Sequence, residues 1–533
     1  MSSRAVDNLS GLLSEHARER PERIAVGTSD LRIAIGYREL DALVTSARAQ
    51  LSALGLMRGG TAALVSDNSV EFVVSFLAIV SLGARAAPLN PALTDAEVAA
   101  RLSALRAQMV LYSKHEAERL LPGSSAPGGT SRRIVKAESG ADGVLTVSIT
   151  DGAGRGPSLP PVEEDRAPID AGDVALVMFT AGTTSAPKAV PLTHCNILAS
   201  VRGIVSTYRL TPKDSTLIVM PLFHGHGLVA GLLATLASGG GAYLPGTGAF
   251  SARRFWPDMS RIGATWYTAV PTIHRILVNR APLEYPKSSP VPLRFLRSCS
   301  APLDEELAAS ANATFGAPMI AAYGMTETCH QAASNPLPVD GENKATAAGL
   351  PTGVELRIAG DGGEEVARGE VGEIWVRGPA VTVGYLDNPD ANAVSFVDGW
   401  FRSGDLGMRD ADGYLYVRGR LKEVINRGGE KISPGEIDTA LLSNPKVLDA
   451  AAFGEADAMY GESVQAAVLL RPGAQATEAE LREYCRTILS GFEVPERIYI
   501  VDQFPHTAKG STDRRALAAQ FSVRPAPAKG TAL

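Results

Sequence analysis

Four cysteines are all that 533 residues contain: Cys195, Cys299, Cys329 and Cys485, widely scattered, with no CxxC pair and no zinc-site spacing. Neither a disulfide framework nor a structural zinc is supported, and free thiols in a reducing compartment are the simplest expectation. Excess positive charge is lacking too, since 51 Lys and Arg face 57 Asp and Glu for a net charge of -6. That balance speaks against a nucleic-acid surface, and an anionic substrate would have to be met by locally placed cations. No apolar run has the length of a membrane span, about 20 residues. "FVVSFLAIVSLGA" is shorter and bracketed by Glu71 and Arg85, and "GLVAGLLATLASGGGAYLP" is broken by three glycines in a row. Both read as core elements. The opening "MSSRAVDNLSGLLSEHARER" is too charged for a secretory signal, and the final "GTAL" is not an SKL-type address, so a cytoplasmic location is expected.

What is present is an ordinary globular composition, 45% hydrophobic and 20% charged. Single cores stop growing near ~250–300 residues, so at least two domains are expected. Short β-branched segments alternate with amphipathic ones: "TAALVSD" with "NSVEFVVSFLAIVSLGA", "STLIVMP" with "GLVAGLLATLAS", "ATWYTAV" with "PTIHRILVNR", "LRFLRSCS" with "LDEELAASANATF", then "PMIAAYG". Repeated strand–helix–strand units predict an α/β core of parallel strands, whose ligands gather beyond the strands' carboxyl ends. The loops starting at His224, Ser300 and Thr326 are singled out by that rule. Residues 122–172, rich in Gly, Ser and Pro, read as a long surface excursion. Between about 349 and 417, "GEIWVRG" and "GYLYVRGR" among Gly, Asp and Asn turns predict a small antiparallel β-module. A compact α+β stretch follows Arg420. The expected organisation is therefore a large domain over 1–420, parallel α/β subdomains plus the β-module, then a small α+β domain over 421–522. The Pro/Ala-rich end, 523–533, is expected to be a disordered tail.

Chemistry concentrates in a few strings. "VMFTAGTTSAPKAVPLTH" (177–194) follows an apolar strand and packs Thr180, Gly182, Thr183, Thr184 and Lys188 into nine places. Glycine lets backbone amides approach phosphate oxygens, hydroxyls donate further hydrogen bonds and lysine adds charge. A Walker A loop, GxxxxGK[ST], is absent, and by composition alone a plain polar loop is an equal reading. The string itself resembles the TSGTTGxPKG phosphate loop of the acyl-adenylate-forming (AMP-binding) acyl-CoA synthetase family. "AAYGMTET" (321–328), "SGDLG" (403–407) and "GRLKEVINRGGEKISPGEID" then resemble that family's adenine, ribose and hinge segments, in the family's order.

Carried onto these positions, the resemblance implies ATP binding by Thr180, Gly182, Thr183, Thr184, Lys188, Ala301, Pro302, Ala322, Tyr323, Gly324, Thr326, Asp405 and Arg420. It implies magnesium on Glu327, coenzyme A at Arg427, Gly428, Gly429 and Lys431, and a hinge at Lys422 about which the small domain is mobile. Catalytic roles fall to Thr184, His224, Glu327 and Lys509. The chemistry is consistent: a carboxylate attacking the α-phosphorus of ATP crowds negative charge that cations and a metal must offset. Magnesium prefers oxygen ligands, which a carboxylate plus phosphates supply. Alternating two reactions in one pocket is a gating problem that a swinging domain solves.

The acid-binding strings are polar. "PLFHGHGL" offers His224 and His226, "RSCSAP" offers Ser300 and "MTETCH" offers His330. A fatty-acid pocket would be mainly apolar, whereas a small diacid needs donors for its second carboxylate. With "FWPDM", "ATWYTAVPTIH" and "INRGGEKISP", these strings resemble the oxalate–CoA ligases of plants and fungi. The resemblance implies that Ser300 and His330, with His226, bind the acid, and that oxalate, ATP and coenzyme A give oxalyl-CoA, AMP and pyrophosphate. One of His224 and His226 is expected to be only a gate or a packing residue. Another short acid such as malonate is the alternative.

The sequence also departs from the family. The usual T-x-S-G-K ends here as Thr507, Ala508, Lys509, Gly510, Ser511, so the lysine stands two places early and Ser511 holds its position. Residues two apart in an extended segment share a side, about 6–7 Å apart, which a long lysine stem can partly absorb. Ala181, Ser185, Ala189 and Glu493 are further departures. An adenylation-impaired nucleotide- or CoA-binding homologue is therefore a rival reading.

Overall fold

The structure is a computed structural model. It describes residues 8–119, 130–139, 145–151, 155–157, 168–180, 187–286, 288–428, 430–457, 459–505 and 512–521, without the side chains of 117–119, 139 and 431. Two compact units emerge. One holds Met1–Thr180, Pro187–Leu356 and Val376–Phe401, and the other includes Arg357–Trp375 and Arg402–Leu533.

The first unit carries two mostly parallel sheets. In the seven-stranded one, Thr61–Val65, Arg85–Leu89, Met109–Ser113 and Val174–Phe179 are linked by parallel pairings, and Ala189–Thr193 closes one edge antiparallel. The interiors of these parallel strands are buried on both faces and hence almost wholly apolar. Helix Val70–Ser81 shows why the pattern folds this way. Ser69 caps it, accepting a hydrogen bond from the Phe72 amide at 3.2 Å. Every residue from Phe72 to Val80 is buried, each large apolar one contributing about 1.5–3 kcal/mol. The helix stops at Gly83, whose φ of +72° suits glycine.

Residues 122–172 depart from expectation. Their described parts include Ser131–Ser139 and Leu145–Thr150, an antiparallel pair that extends this sheet. Leu145, Val147 and Ile149 alternate into the core, and the Gln50 side chain bonds both Val147 O and the Ile149 amide at 2.8 Å. Between glycine-rich flanks the period-2 signal was too short to stand out.

The nine-stranded sheet positions the site. Ser215–Leu217, Trp266–Ala269, Phe295–Ser298 and Met319–Tyr323 run parallel and adjacent. The loops at Ser300 and Thr326 thus leave the carboxyl ends of neighbouring strands, as the topology rule expects. "STLIVMP" forms a strand only over Ser215–Leu217. Beyond it the Asn68 side chain takes the place of a neighbouring strand, bonding Ile218 O, Met220 O and the Leu222 amide at 3.1, 3.0 and 2.9 Å.

In the second unit residues 405–409 pair antiparallel with strand Leu415–Arg420. Val447–Asp457 and Gly461–Leu470 form a long antiparallel pair packed on helix Pro434–Leu442, the expected α+β stretch.

Candidate active site

A cluster of imidazole and hydroxyl groups lies at the carboxyl ends of these parallel strands. His226 opens a π-helical segment, His226–Leu233, and is buried. π-helical turns are rare and frequent at functional sites. Its Nδ1 lies 3.1 Å from Ser300 Oγ and its Nε2 2.6 Å from Thr268 Oγ1. The His330 ring stacks on it, centroids 4.9 Å apart. His330 Nε2 is buried with no hydrogen-bond partner among the described residues. Ser300 itself is exposed. Ser300, Cys329 and His330 have φ of +71°, +49° and +83°, left-handed values uncommon without glycine. Strained backbone of this kind gathers at binding sites, where the surroundings over-determine it.

Beneath the pair lies Arg297, wholly buried in strand Phe295–Ser298. Its guanidinium donates to Tyr208 Oη (3.0 Å), Thr268 Oγ1 (3.0 Å) and Gln331 Oε1 (2.9 Å), and forms no ion pair among the described residues. An interior cation without a carboxylate is uncommon and favours an incoming anion. Burial above all, with competition from neighbouring imidazoles and the Arg297 charge, holds His226 and His330 well below the ordinary histidine value, so both are neutral near pH 7. Sequence reasoning missed Arg297, Thr268 and Gln331. The usable signal was an arginine in the middle of the apolar strand "LRFLRS".

The other expected residues of this unit fall nearby or along the same loops. His224 packs its ring against Phe223, centroids 4.6 Å apart. Ala301 and Pro302 are exposed just after Ser300. Ala322 and Tyr323 end strand Met319–Tyr323, and Thr326 begins the 3-10 turn Thr326–Thr328. At Gly324 a Cβ would stand 1.7 Å from His330 O, so only glycine lets these two backbone segments pass. Thr180 and Lys188 face each other across the loop mouth, with Thr180 N to Lys188 O at 2.9 Å and Lys188 N to Thr180 Oγ1 at 3.2 Å.

Glu327 is buried, and its Oε1 accepts from the Tyr385 hydroxyl at 2.8 Å. The Lys188 ammonium sits 4.4 Å from the centre of that same tyrosine ring. Burial, then the Glu327 carboxylate, raises the Tyr385 phenol, keeping it a donor. No group of three or more His, Cys, Asp or Glu that could hold a metal exists among the described residues. A hard cation bound here would therefore rely on one carboxylate plus phosphate oxygens, and Glu327, with no ion pair among the described residues, fits magnesium on those terms.

In the second unit Asp405 and Arg420 are register partners, and Arg420 Nε lies 3.2 Å from Asp405 Oδ1. Arg427 is already engaged, by Glu496 at 2.5 Å and Phe492 O at 2.9 Å. Gly428 turns with φ +59°, its amide bonding Tyr460 O at 2.7 Å. Lys422 is exposed in the turn Leu421–Glu423, and Lys431 lies on strand Glu430–Ile432. Arg514 ties Asp438, Ala452 O and Glu423 together. Gly182, Thr183, Thr184, Gly429 and Lys509 lie outside the described residues.

Comparison with known proteins agrees with this chemistry. A model of the AMP-binding enzymes matches residues 13–386, and one of the AMP-binding enzyme C-terminal domain matches 436–511. The oxalate–CoA ligase of Arabidopsis thaliana is 44% identical over 527 residues, 97% of this chain and 99% of that protein. That of Saccharomyces cerevisiae is 38% identical over 487 residues, 88% of each chain. A solved O-succinylbenzoate coenzyme A synthetase from Bacillus subtilis, in complex with ATP and magnesium ion, has a TM-score of 0.80 at 29% identity, over 95% of this chain and 99% of that one. Matched by the family model over most of its length, the chain belongs to the AMP-binding enzymes and is an AMP-forming acyl-CoA synthetase, joining a carboxylate to coenzyme A at the expense of ATP through an acyl-adenylate.

Proposed function

We propose that the acid is oxalate and the product oxalyl-CoA. One oxalate oxygen attacks the α-phosphorus of ATP, the bond to the bridging oxygen breaks and pyrophosphate leaves. The coenzyme A thiolate then attacks the carbonyl of the adenylate, expelling AMP. The observation that carries the reading is the buried pair of neutral imidazoles beside the Ser300 hydroxyl, over a guanidinium that has no ion pair among the described residues. Such a site suits a second carboxylate close to the first and wastes its polar groups on an alkyl chain. The similarity to two oxalate–CoA ligases supports the same acid.

In this reading Ser300, His330 and His226 hold the distal carboxylate. Thr180, Gly182, Thr183, Thr184 and Lys188 cradle phosphates, Ala301, Pro302, Ala322, Tyr323, Gly324 and Thr326 line the nucleotide, and His224 borders the reacting carboxylate. Asp405 and Arg420 take the ribose. Arg427, Gly428, Gly429 and Lys431 meet coenzyme A, and Lys422 is the hinge between domains 1–420 and 421–522. Magnesium on Glu327 would offset phosphate charge. Four unpaired cysteines suit a cytoplasmic enzyme.

Pyrophosphate release should be fastest with oxalate in a panel containing malonate, octanoate and cinnamate; a preference for either of the last two removes the diacid assignment. The exchange of Lys509 and Ser511 favours a second reading, an adenylation-impaired homologue. There, ATP binds but no acid releases pyrophosphate, and Ser511→Lys restores turnover. If Lys509 serves instead, Lys509→Ala lowers adenylation by roughly 10²-fold, the scale of one lost transition-state contact.

A further inference from the structure

The pair His226–Ser300 has two possible polarities, and only one suits an anion. A carboxylate accepts hydrogen bonds and donates none. If His226 Nδ1 is bare, Ser300 donates inward to it and shows the acid its lone pairs. If Nδ1 carries the proton, Ser300 accepts from it at 3.1 Å and its own hydrogen is left for the ligand.

Which polarity holds is decided on the other side of the ring. Arg297 is donor-only, and its Nη1 donates to Thr268 Oγ1 at 3.0 Å while standing 3.4 Å from His226 Nε2. A proton on Nε2 would face that guanidinium N–H, donor against donor. It would also leave the Thr268 hydrogen without an acceptor among the described residues. With Nε2 bare, both conflicts vanish: Thr268 accepts from Arg297 and donates to Nε2 across 2.6 Å. The ring proton then lies on Nδ1, aimed at Ser300.

We infer that Arg297 and Thr268 are positioning residues: together they hold the His226 proton on Nδ1, so that the Ser300 hydroxyl hydrogen points at the acid's second carboxylate. The relay runs Arg297 to Thr268 to His226 to Ser300, from a wholly buried cation to an exposed hydroxyl. Arg297 also donates to Gln331, the residue after His330, and so holds both walls of the cluster. The charged and titratable groups facing His226 are Arg297, His330, His274 and His224. All but Arg297 are imidazoles, so among the described residues no carboxylate competes to draw the proton to Nε2.

The inference rests on the second-carboxylate reading for its purpose, though the tautomer can be measured without any acid. In nitrogen-15 histidine spectra of the full chain, the resonances lost in His226→Gln identify the ring. They should report Nδ1–H near pH 7, and Thr268→Val should shift them toward Nε2–H. A wild-type ring protonated at Nε2 overturns the relay whatever the substrate. In kinetics Thr268→Val should raise the KM for oxalate roughly tenfold, about one hydrogen bond's worth, with kcat and the KM for ATP nearly unchanged. Thr268→Ser, which keeps the hydroxyl, should restore it. Unchanged KM in Thr268→Val overturns the proposal. Nδ1–H in a protein that rejects oxalate sinks the substrate assignment while leaving the relay intact.

Discussion

At the scale of single residues the site is a matter of who can donate and who can accept. Tyr385 occupies one oxygen of Glu327 and stays protonated, because burial and the adjacent carboxylate both oppose losing its proton. The Glu327 carboxylate would hold magnesium there, and the metal would offset phosphate charge. Glu327→Gln keeps an acceptor for Tyr385 and removes the charge. Pyrophosphate release should fall by about 10²-fold or more, the scale of one lost electrostatic contact, with the thermal midpoint nearly unchanged. A variant that retains full rate would remove Glu327 from metal binding.

Single elements place these side chains, and some depend on one residue from elsewhere. The chain after Ser215–Leu217 leaves its sheet yet remains ordered because Asn68 supplies three hydrogen bonds to its backbone. That segment runs directly into His224 and His226. Asn68→Ala should therefore destabilise the protein by about 2–4 kcal/mol, three bonds at roughly 0.5–1.5 each, measured by urea unfolding. The KM for the acid should rise with it. A loss below about 0.5 kcal/mol would mean that the segment holds its shape without Asn68. The "STLIVMP" strand was overestimated from its sequence for the same reason: its run of five apolar residues looks alike throughout, while the asparagine that bonds its second half is about 150 positions away.

Across the whole molecule, buried histidines make stability depend on pH. His194 accepts from the Leu9 amide at 3.1 Å, and His274 bonds Tyr267 Oη and Arg297 O at 3.1 and 3.2 Å. Burial lowers both to about 4, and His226 and His330 lie well below their ordinary value too. Each is neutral in the folded state at pH values where the unfolded chain already binds a proton. Stability should be flat above about pH 6.5 and fall between about 6.5 and 4, by up to about 1.4 kcal/mol per pH unit for each histidine. Denaturant titrations at pH 7.5, 5.5 and 4.5 check the slope, which His274→Gln should reduce. Equal stability at all three would refute the burial argument.

The sequence by itself determined the α/β class, the parallel sheet and the loops at its carboxyl edge, because strand and helix periodicities are local and a rule of topology does the rest. It also singled out Ser300, His226, His330 and Glu327 within short strings, and the fold brings the first three into one cluster. Only the tertiary structure decided that Arg297 lies under two stacked imidazoles with no carboxylate paired to it among the described residues, and that Thr268 bridges it to His226. The reason is physical: whether a charge is compensated, and which nitrogen keeps a proton, depends on groups up to about a hundred residues apart that only the folded chain brings within 3–5 Å.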